Sequence, residues 1–285
     1  MNTSVNQTFD WSRFTATLRK EVIENKRALL FTVIGVYGFL TLIMILGNII
    51  TGIDDEIYEV ISNHTPQSFV GSLLGFVVCV SASLAFRNLT TKTGRASMFT
   101  TPSSMLEKFL VNVLIYAVGI IVAFFACAQL ADLTRIAALF LFKSDSFYVP
   151  GPINFLNCFS YMAGNIDNIE ELADVSTGIK AVMWIGIMSN AGLYLLGSVI
   201  WPRLSLLKTF AAVYAIEFTL FIIAAPLFYF FGDGEALAEW FIGFITGGKF
   251  SISMICITAI QAILYFSLAW YLFKRKDVIS LKWWK

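Results

Sequence analysis

The sequence contains few of the residues that build metal and redox sites. It has one histidine, His64, and four cysteines that form neither a CxxC pair nor a close cluster. Zinc sites need several closely spaced Cys, His or carboxylate ligands, and disulfide frameworks need paired cysteines. This scarcity disfavours a zinc site, a disulfide scaffold and an intramembrane metalloprotease. We therefore predict a chain with no metal, no cofactor and no catalytic residues.

The chain also lacks the glycine-rich loop by which many ATPases hold phosphates. No stretch fits the pattern GxxxxGK[ST], in which backbone amides and a lysine contact the phosphates. If ATP drives the protein, a second polypeptide must hydrolyse it. A cleavable signal peptide is not predicted either, because the first apolar run begins only near Leu29 and is too long for the core of such a peptide.

Charge is the third scarcity. Only 14% of the residues are charged and 58% are hydrophobic, whereas soluble domains average roughly 25% charged residues. The apolar residues fall into six runs, and each approaches the roughly 20 residues that cross a bilayer as a helix. Helices are favoured because backbone polar groups in lipid must pair within their own segment. The runs are Leu29–Ile50, Ser68–Phe86, Phe109–Leu130, Ala181–Ile200, Phe210–Phe231 and Ser251–Phe273.

The predicted fold class is therefore all-α, a polytopic membrane protein with six transmembrane helices in a single domain. Asp10 is predicted to cap an amphipathic helix that runs to about Arg27 and lies in the headgroup plane. The alternative is an ordinary solvent-facing helix. A short outer helix at Glu235–Ile245, re-entrant or interfacial, is predicted before the last span. The single domain, 1–285, divides into an interfacial segment (1–28), the bundle (29–273) and a tail (274–285).

Basic residues are concentrated in alternate connections, which predicts the orientation of the bundle. Most of the 20 Lys and Arg residues lie on one side of the predicted spans, and most acids lie on the other side. By the positive-inside rule the basic side is cytosolic. Both termini are then cytosolic, which agrees with an even number of spans. The basic segments are the N-terminal segment, Arg87–Lys108, Trp201–Thr209 and the tail from Lys274.

Glu217 is the single ionisable residue inside the predicted spans. A charged side chain at the centre of a membrane helix costs about 2.5–3.5 kcal/mol on insertion scales, so it is a functional candidate. It is predicted to contact a substrate, bond a neighbouring helix or carry a proton. A purely structural role, as a partner of Tyr214 or Thr219, is an equally good interpretation.

The connection Arg87–Leu110, between the second and third runs, is the most informative stretch. It carries Arg87, Lys92, Arg95 and Lys108 but one acid, Glu107. Thr93-Gly94 predicts a turn. Pro102-Ser103-Ser104 followed by Glu107 predicts the start of a helix with a capping box. We interpret this loop, residues 87–108, as the surface on which a soluble motor protein docks.

The same stretch resembles the membrane-spanning permease subunits of ABC-2 type transporters, in particular those common in Bacteroidetes. The resemblance is carried by Phe86-Arg87-Asn88-Leu89, Lys92, Gly94-Arg95, Thr101-Pro102-Ser103-Ser104, Glu107-Lys108-Phe109-Leu110 and the ending Leu272-Phe273-Lys274-Arg275-Lys276. Family members tend to have LPAS-x-x-EKF where this chain has Thr-Pro-Ser-Ser before its Glu-Lys-Phe. The predicted layout of spans is also similar to that of the family.

The resemblance implies a function and partners. It implies a permease subunit that pairs with a second membrane subunit, in a homo- or heterodimer, and docks on a cytosolic ABC ATPase in the bacterial inner membrane. It implies that Arg95, Glu107 and Lys108 lie at or near the ATPase contact, and that the complex exports an amphiphilic, lipid-like or peptide-like substrate. No nucleic acid is expected as a partner. The alternative is a membrane scaffold or sensor that recruits a cytosolic partner without transport.

Overall fold

The computed structural model describes residues 9–51, 55–141, 152–153, 155, 158–159, 173–231 and 249–276. The described chain is helical and contains no strand. A 3₁₀ turn, Arg87–Thr90, follows the second helix, and a π-helical turn, Leu114–Gly119, joins the fourth helix to the fifth. The helices are α1 (Trp11–Thr51), α2 (Asp55–Leu84), α3 (Lys92–Thr100), α4 (Met105–Val113), α5 (Ile120–Leu141), α6 (Ala173–Ile200), α7 (Ser205–Phe231) and α8 (Lys249–Lys274).

Five stretches of these described helices are long and apolar enough to cross a membrane. This confirms the prediction of an all-α protein with transmembrane helices. The predicted run Ser68–Phe86 lies in α2, where the described apolar stretch, Phe69–Leu84, is shorter than the others. The five stretches are Trp11–Gly47, Met105–Ala138, Gly178–Ile200, Ser205–Ile223 and Ile252–Lys274.

The N-terminal amphipathic segment is not a separate helix. Residues 11–27 belong to α1, a helix of 41 residues that continues without a break into the first apolar run. At about 1.5 Å per residue, α1 is about 60 Å long, which is twice the roughly 30 Å of the hydrocarbon layer. The prediction of a helix to about Arg27 is thus correct in type but wrong in extent. Neither a proline nor a glycine near Arg27 supplies a break.

The predicted turn at Thr93-Gly94 is instead the first turn of α3. The Thr91 side chain caps this helix by accepting a hydrogen bond from the Gly94 amide, at 3.1 Å. A Cβ atom at position 94 would collide with the carbonyl oxygen of Asn88. The glycine therefore allows a close approach of two backbone segments and does not mark a turn.

The third predicted span also continues past its expected end. Helix α5 runs to Leu141, whereas the predicted run ends at Leu130. The extension carries two ionisable residues, Asp132 and Arg135, that neutralise each other inside the bundle. This charged pair ends the apolar run in the sequence but does not end the helix. The two side chains neutralise each other, so they can be buried without contact with water.

The bundle has two buried clusters, and we call the end that carries residues 87–104 the loop end. One cluster extends from the middle of the bundle toward the opposite end, or far end. The other lies at the loop end, where the Phe86 ring centroid is 4.8 Å from that of Phe273 and 6.0 Å from that of Phe109. These three rings hold the ends of α2, α4 and α8 together. Helix α6 packs against α8 and α2, α1 packs against α5, and α7 lies at the edge.

All four basic segments that the sequence placed on one side of the membrane meet at the loop end. Lys20 Nζ donates to Thr101 Oγ1 at 2.8 Å, and Thr90 Oγ1 donates to the Pro202 carbonyl oxygen at 3.1 Å. The start of the C-terminal tail also lies here. Arg95 of the loop is close enough to Lys276 that its charge, together with burial, lowers the pKa of the lysine. The outer helix predicted at Glu235–Ile245 and the tail beyond Lys276 lie outside the described residues.

Substituting Gly197 in α6 by alanine is expected to lower the thermal unfolding temperature. A Cβ atom there would overlap Thr209 of α7, and overpacking costs about 1–3 kcal/mol. The matched control is Gly186→Ala in the same helix, where nothing lies within 4 Å of the added carbon. Thermal unfolding of both variants in one detergent, followed by tryptophan fluorescence, makes the comparison. Equal unfolding temperatures for the two variants would contradict the close contact between α6 and α7.

Candidate functional site

A capping box starts α4, as the sequence predicts. Ser104 Oγ accepts a hydrogen bond from the Glu107 amide at 3.1 Å, and Glu107 Oε2 accepts one from the Ser104 amide at 2.8 Å. Two amides that lack partners within the helix are satisfied in this way. The box fixes the direction in which α4 leaves the loop and enters the bundle.

The second oxygen of Glu107 reaches the start of a different helix. Glu107 Oε1 accepts a hydrogen bond from the Asp10 amide at 2.8 Å and lies 3.2 Å from Arg13 Nη2. Asp10 in turn caps α1, because its Oδ1 accepts from the Arg13 amide at 3.1 Å. One buried carboxylate thus serves the N-terminal ends of α1 and α4, where the helix dipole favours a negative charge. Glu107 is fully buried by this arrangement.

Two further contacts join α1 to the loop. Lys20 binds Thr101, as described above, and Asn88 Nδ2 donates to Glu21 Oε1 at 3.3 Å. The N-terminal part of α1 and the loop therefore form one unit. We call this unit, residues 10–24 together with 87–112, the loop junction.

A cleft of about 140 Å³ lies inside the loop junction. Its walls carry charges of both signs, and its lining includes Lys20, Glu21, Glu24, Asn88, Lys108 and Asn112. Lys20 Nζ lies 3.8 Å from Glu24 Oε1. The ammonium of Lys108 has no carboxylate within ion-pair distance among the described residues.

The three residues expected at the motor contact occupy different environments. Glu107 faces α1 and is buried behind Asp10 and Arg13. Lys108 is buried and lines the cleft. Arg95 lies on α3 and is half-buried, close enough to the end of α8 to affect Lys276. The charged residue of α3 that is exposed is Lys92.

Glu217 lies on the outer surface of α7. It is exposed, as are most of its neighbours on this edge helix. Thr219 Oγ1 donates to the Ala215 carbonyl oxygen at 2.7 Å, and the Tyr214 ring centroid lies 4.3 Å from that of Phe210. Among the described residues, then, neither of the two partners considered for Glu217 from the sequence bonds it. Its carboxylate faces away from the bundle.

Sequence reasoning missed a buried ion pair at the far end. Asp132 Oδ1 lies 2.7 Å from Arg135 Nη2 and accepts from Arg135 Nε at 2.8 Å, and both side chains are buried. Asp132 Oδ2 accepts a hydrogen bond from the Ile153 amide at 2.8 Å, while Gln129 Nε2 donates to the Ile153 carbonyl oxygen at 3.1 Å. The pair and Gln129 thus hold the Ile153 backbone against α5. The i,i+3 spacing of opposite charges was the available signal.

Within the part of the chain that the structure describes, no group of three His, Cys, Asp or Glu side chains could hold a metal ion. No family model, curated protein or solved structure matches the chain. The loop junction and the motif resemblance are therefore the features that point to a function.

Proposed function

We propose that the chain is the membrane-spanning subunit of an ATP-driven exporter of the ABC-2 type, and that a separate cytosolic ATPase supplies the energy. The observation that carries this proposal is the loop junction, in which the Glu107 carboxylate holds the starts of α1 and α4 together. A force applied to this junction reaches two membrane helices at once. In this proposal the bundle has six spans in the bacterial inner membrane, with both termini in the cytosol.

The exposed side of α3 is the proposed docking surface. Lys92, Ser97 and Thr100 are exposed there, and the helix connects directly to the capped start of α4. From α4 the helical path continues through the π-helical turn and α5 to Leu141 at the far end. Movement of α3 by the ATPase would be passed along this path as a rigid-body shift, the kind of motion that alternates access in transporters.

Each predicted site residue has a defined role in this proposal. Glu107 is a positioning residue, because it is buried and contacts α1 and α4. Arg95 and Lys108 support the docking surface from the side of α8 and from the cleft. Glu217 faces outward from α7, so its proposed partner is either the second membrane subunit of a dimer or an amphiphilic substrate that passes along this helix.

Charge reversal on α3 is expected to release the ATPase. We expect Lys92→Glu to lower the amount of soluble ATPase retained by the purified chain at least about tenfold, equivalent to about 1.4 kcal/mol. Mild-detergent pull-down from native membranes, with vanadate-sensitive ATP hydrolysis as the readout, makes the measurement. The control is Arg203→Glu, an exposed cation at the same end of the bundle.

Two results would contradict parts of this proposal. If Lys92→Glu and the control retained equal amounts of ATPase, α3 would not be the docking surface. If the wild-type chain retained a cytosolic protein without ATPase activity, the alternative of a scaffold or sensor would be correct.

A further inference from the structure

The cleft of the loop junction holds a cation, Lys108, that forms no ion pair with a described carboxylate. Lys108 is only 5% exposed, and its side chain lines the cleft. The described carboxylates that form ion pairs at this end contact Arg13 and Lys20 instead. Opposite charges a few ångströms apart attract strongly where little water screens them. An anionic ligand in the cleft would supply such a charge for Lys108.

A second buried group in the cleft also lacks a partner. Asn112 is 4% exposed and lines the same cleft. Its Nδ2 donates to the Lys108 carbonyl oxygen at 2.9 Å, but its Oδ1 has no hydrogen-bond partner. Buried side-chain acceptors are rarely left unsatisfied in folded proteins. The wall of the cleft therefore contains a cation, Lys108, that could bind an anion. It also contains an acceptor without a partner, Asn112 Oδ1, that could bind a hydrogen-bond donor.

The volume limits the size of the ligand. A cleft of about 140 Å³ holds roughly five waters at about 30 Å³ each, and it is well below the 300–1,000 Å³ of sites for drug-sized molecules. The enclosed part of the cleft is therefore of the size of a phosphate group with a short amine.

The cleft lies at the loop end of the bundle, beside residues 17–24 of α1 and the first turns of α4. Ile23 and Leu30 of α1 are exposed, at 53% and 58%. They could line the path of an acyl chain that leaves the cleft.

We propose that the cleft binds a phosphoethanolamine group, with the phosphate on Lys108 and Lys20 and the ammonium on Glu21, Glu24 and Asn112 Oδ1. The group could belong to phosphatidylethanolamine or to a free, water-soluble phosphoethanolamine. The assignment depends on the cleft alone and holds whether or not the chain is a transport subunit.

The test measures thermal unfolding of the full chain in detergent with five probes. These are dihexanoyl phosphatidylethanolamine, dihexanoyl phosphatidylglycerol, dihexanoyl phosphatidylcholine, phosphoethanolamine and inorganic phosphate. A ligand at about 100 times its Kd is expected to raise the unfolding temperature by roughly 5 °C. A shift with the ethanolamine lipid alone identifies a lipid site, and an equal shift with phosphoethanolamine identifies a site for the soluble group.

Lys108→Met is expected to abolish the shift while leaving the unfolding temperature without ligand equal or higher, because it removes a buried charge without a partner. Lys92→Met, at an exposed position on α3, is the control and should respond like the wild type. Lys20→Met provides a second variant, at a half-buried position, should Lys108→Met fail to fold. Three results would overturn the proposal: no shift with any probe, an unchanged shift in Lys108→Met, or an equal shift with the glycerol lipid.

Discussion

Asp132→Ala is expected to lower the free energy of unfolding by about 3–5 kcal/mol. The substitution removes the carboxylate that lies 2.7 Å from the buried Arg135 guanidinium, and removing one member of a buried ion pair costs this much. It also removes the acceptor of the Ile153 amide. Chemical or thermal unfolding of the purified chain in one detergent, followed by tryptophan fluorescence, measures the loss.

A double variant distinguishes the contribution of the ion pair to stability from that of side-chain volume. Replacing a buried ion pair by apolar residues of similar volume is often neutral or stabilising. We therefore expect Asp132→Leu combined with Arg135→Met to recover most of the stability that Asp132→Ala loses. If the double variant were as unstable as the single one, packing or the Ile153 contact would be the main contribution of Asp132, and the ion-pair argument would be wrong.

The labelling rate of Cys158 measures the local effect of the same change. Cys158 follows Ile153, which the ion pair holds against α5, and it is buried. Burial raises the pKa of its thiol to about 11. A protonated, buried thiol reacts slowly with maleimides. In a background without the other three cysteines, Asp132→Ala should increase the labelling rate of Cys158, since the segment is freed. An unchanged rate would show that the segment is held mainly by its apolar contacts.

The sequence predicted the helices well because the physics of the membrane leaves few choices. A run of about 20 apolar residues must become a helix in lipid, and the capping box at Ser104 and Glu107 has a local signature that needs no tertiary information. The clustering of the basic segments at one end of the bundle followed from charge alone. The ends of the helices were harder to predict from the sequence. For α1 the available signal was the absence of a proline or glycine near Arg27.

The long-range partners of buried polar groups could not be predicted, because they come from distant parts of the chain. Glu107 is 97 residues from Asp10, and no local pattern connects the two. Asp132 and Arg135 follow the apolar run that ends at Leu130, and only the structure shows that the Asp132 carboxylate accepts from the Ile153 amide. For Glu217 the sequence shows only that a charged residue occurs in an apolar run. The structure shows that this residue lies on the exposed face of the edge helix.

Glu107→Ala is the second large effect, and we expect it to separate the start of α1 from the loop. Glu107 Oε1 and Oε2 accept from the Asp10 and Ser104 amides and pair with Arg13. Hydrogen bonds to a charged group contribute about 1.5–3 kcal/mol each, but Arg13 can turn toward water after the change. The expected loss in the free energy of unfolding is therefore about 3 kcal/mol.

Two milder substitutions calibrate this loss. Ser104→Ala removes only one side of the capping box and should cost about 1 kcal/mol. Glu107→Gln keeps an oxygen acceptor and nearly the same shape but removes the charge, so its cost should lie between the two. The order Ser104→Ala, Glu107→Gln, Glu107→Ala of increasing loss is the specific expectation, and thermal unfolding in one detergent measures it.

Hydrogen exchange distinguishes a joint between two helices from general destabilisation. In Glu107→Ala the amides of Asp10–Phe14 and of Ser104–Lys108 should exchange faster together, whereas those of α6, which packs mainly against α8 and α2, should change little. Lys92→Glu should alter neither region in the isolated chain, because Lys92 is exposed and its proposed contact is with another protein. If Glu107→Ala accelerated exchange only at Ser104–Lys108, the carboxylate would cap α4 without holding α1. The loop junction could not then pass a force from α3 to both membrane helices, and the coupling route proposed for this chain would fail.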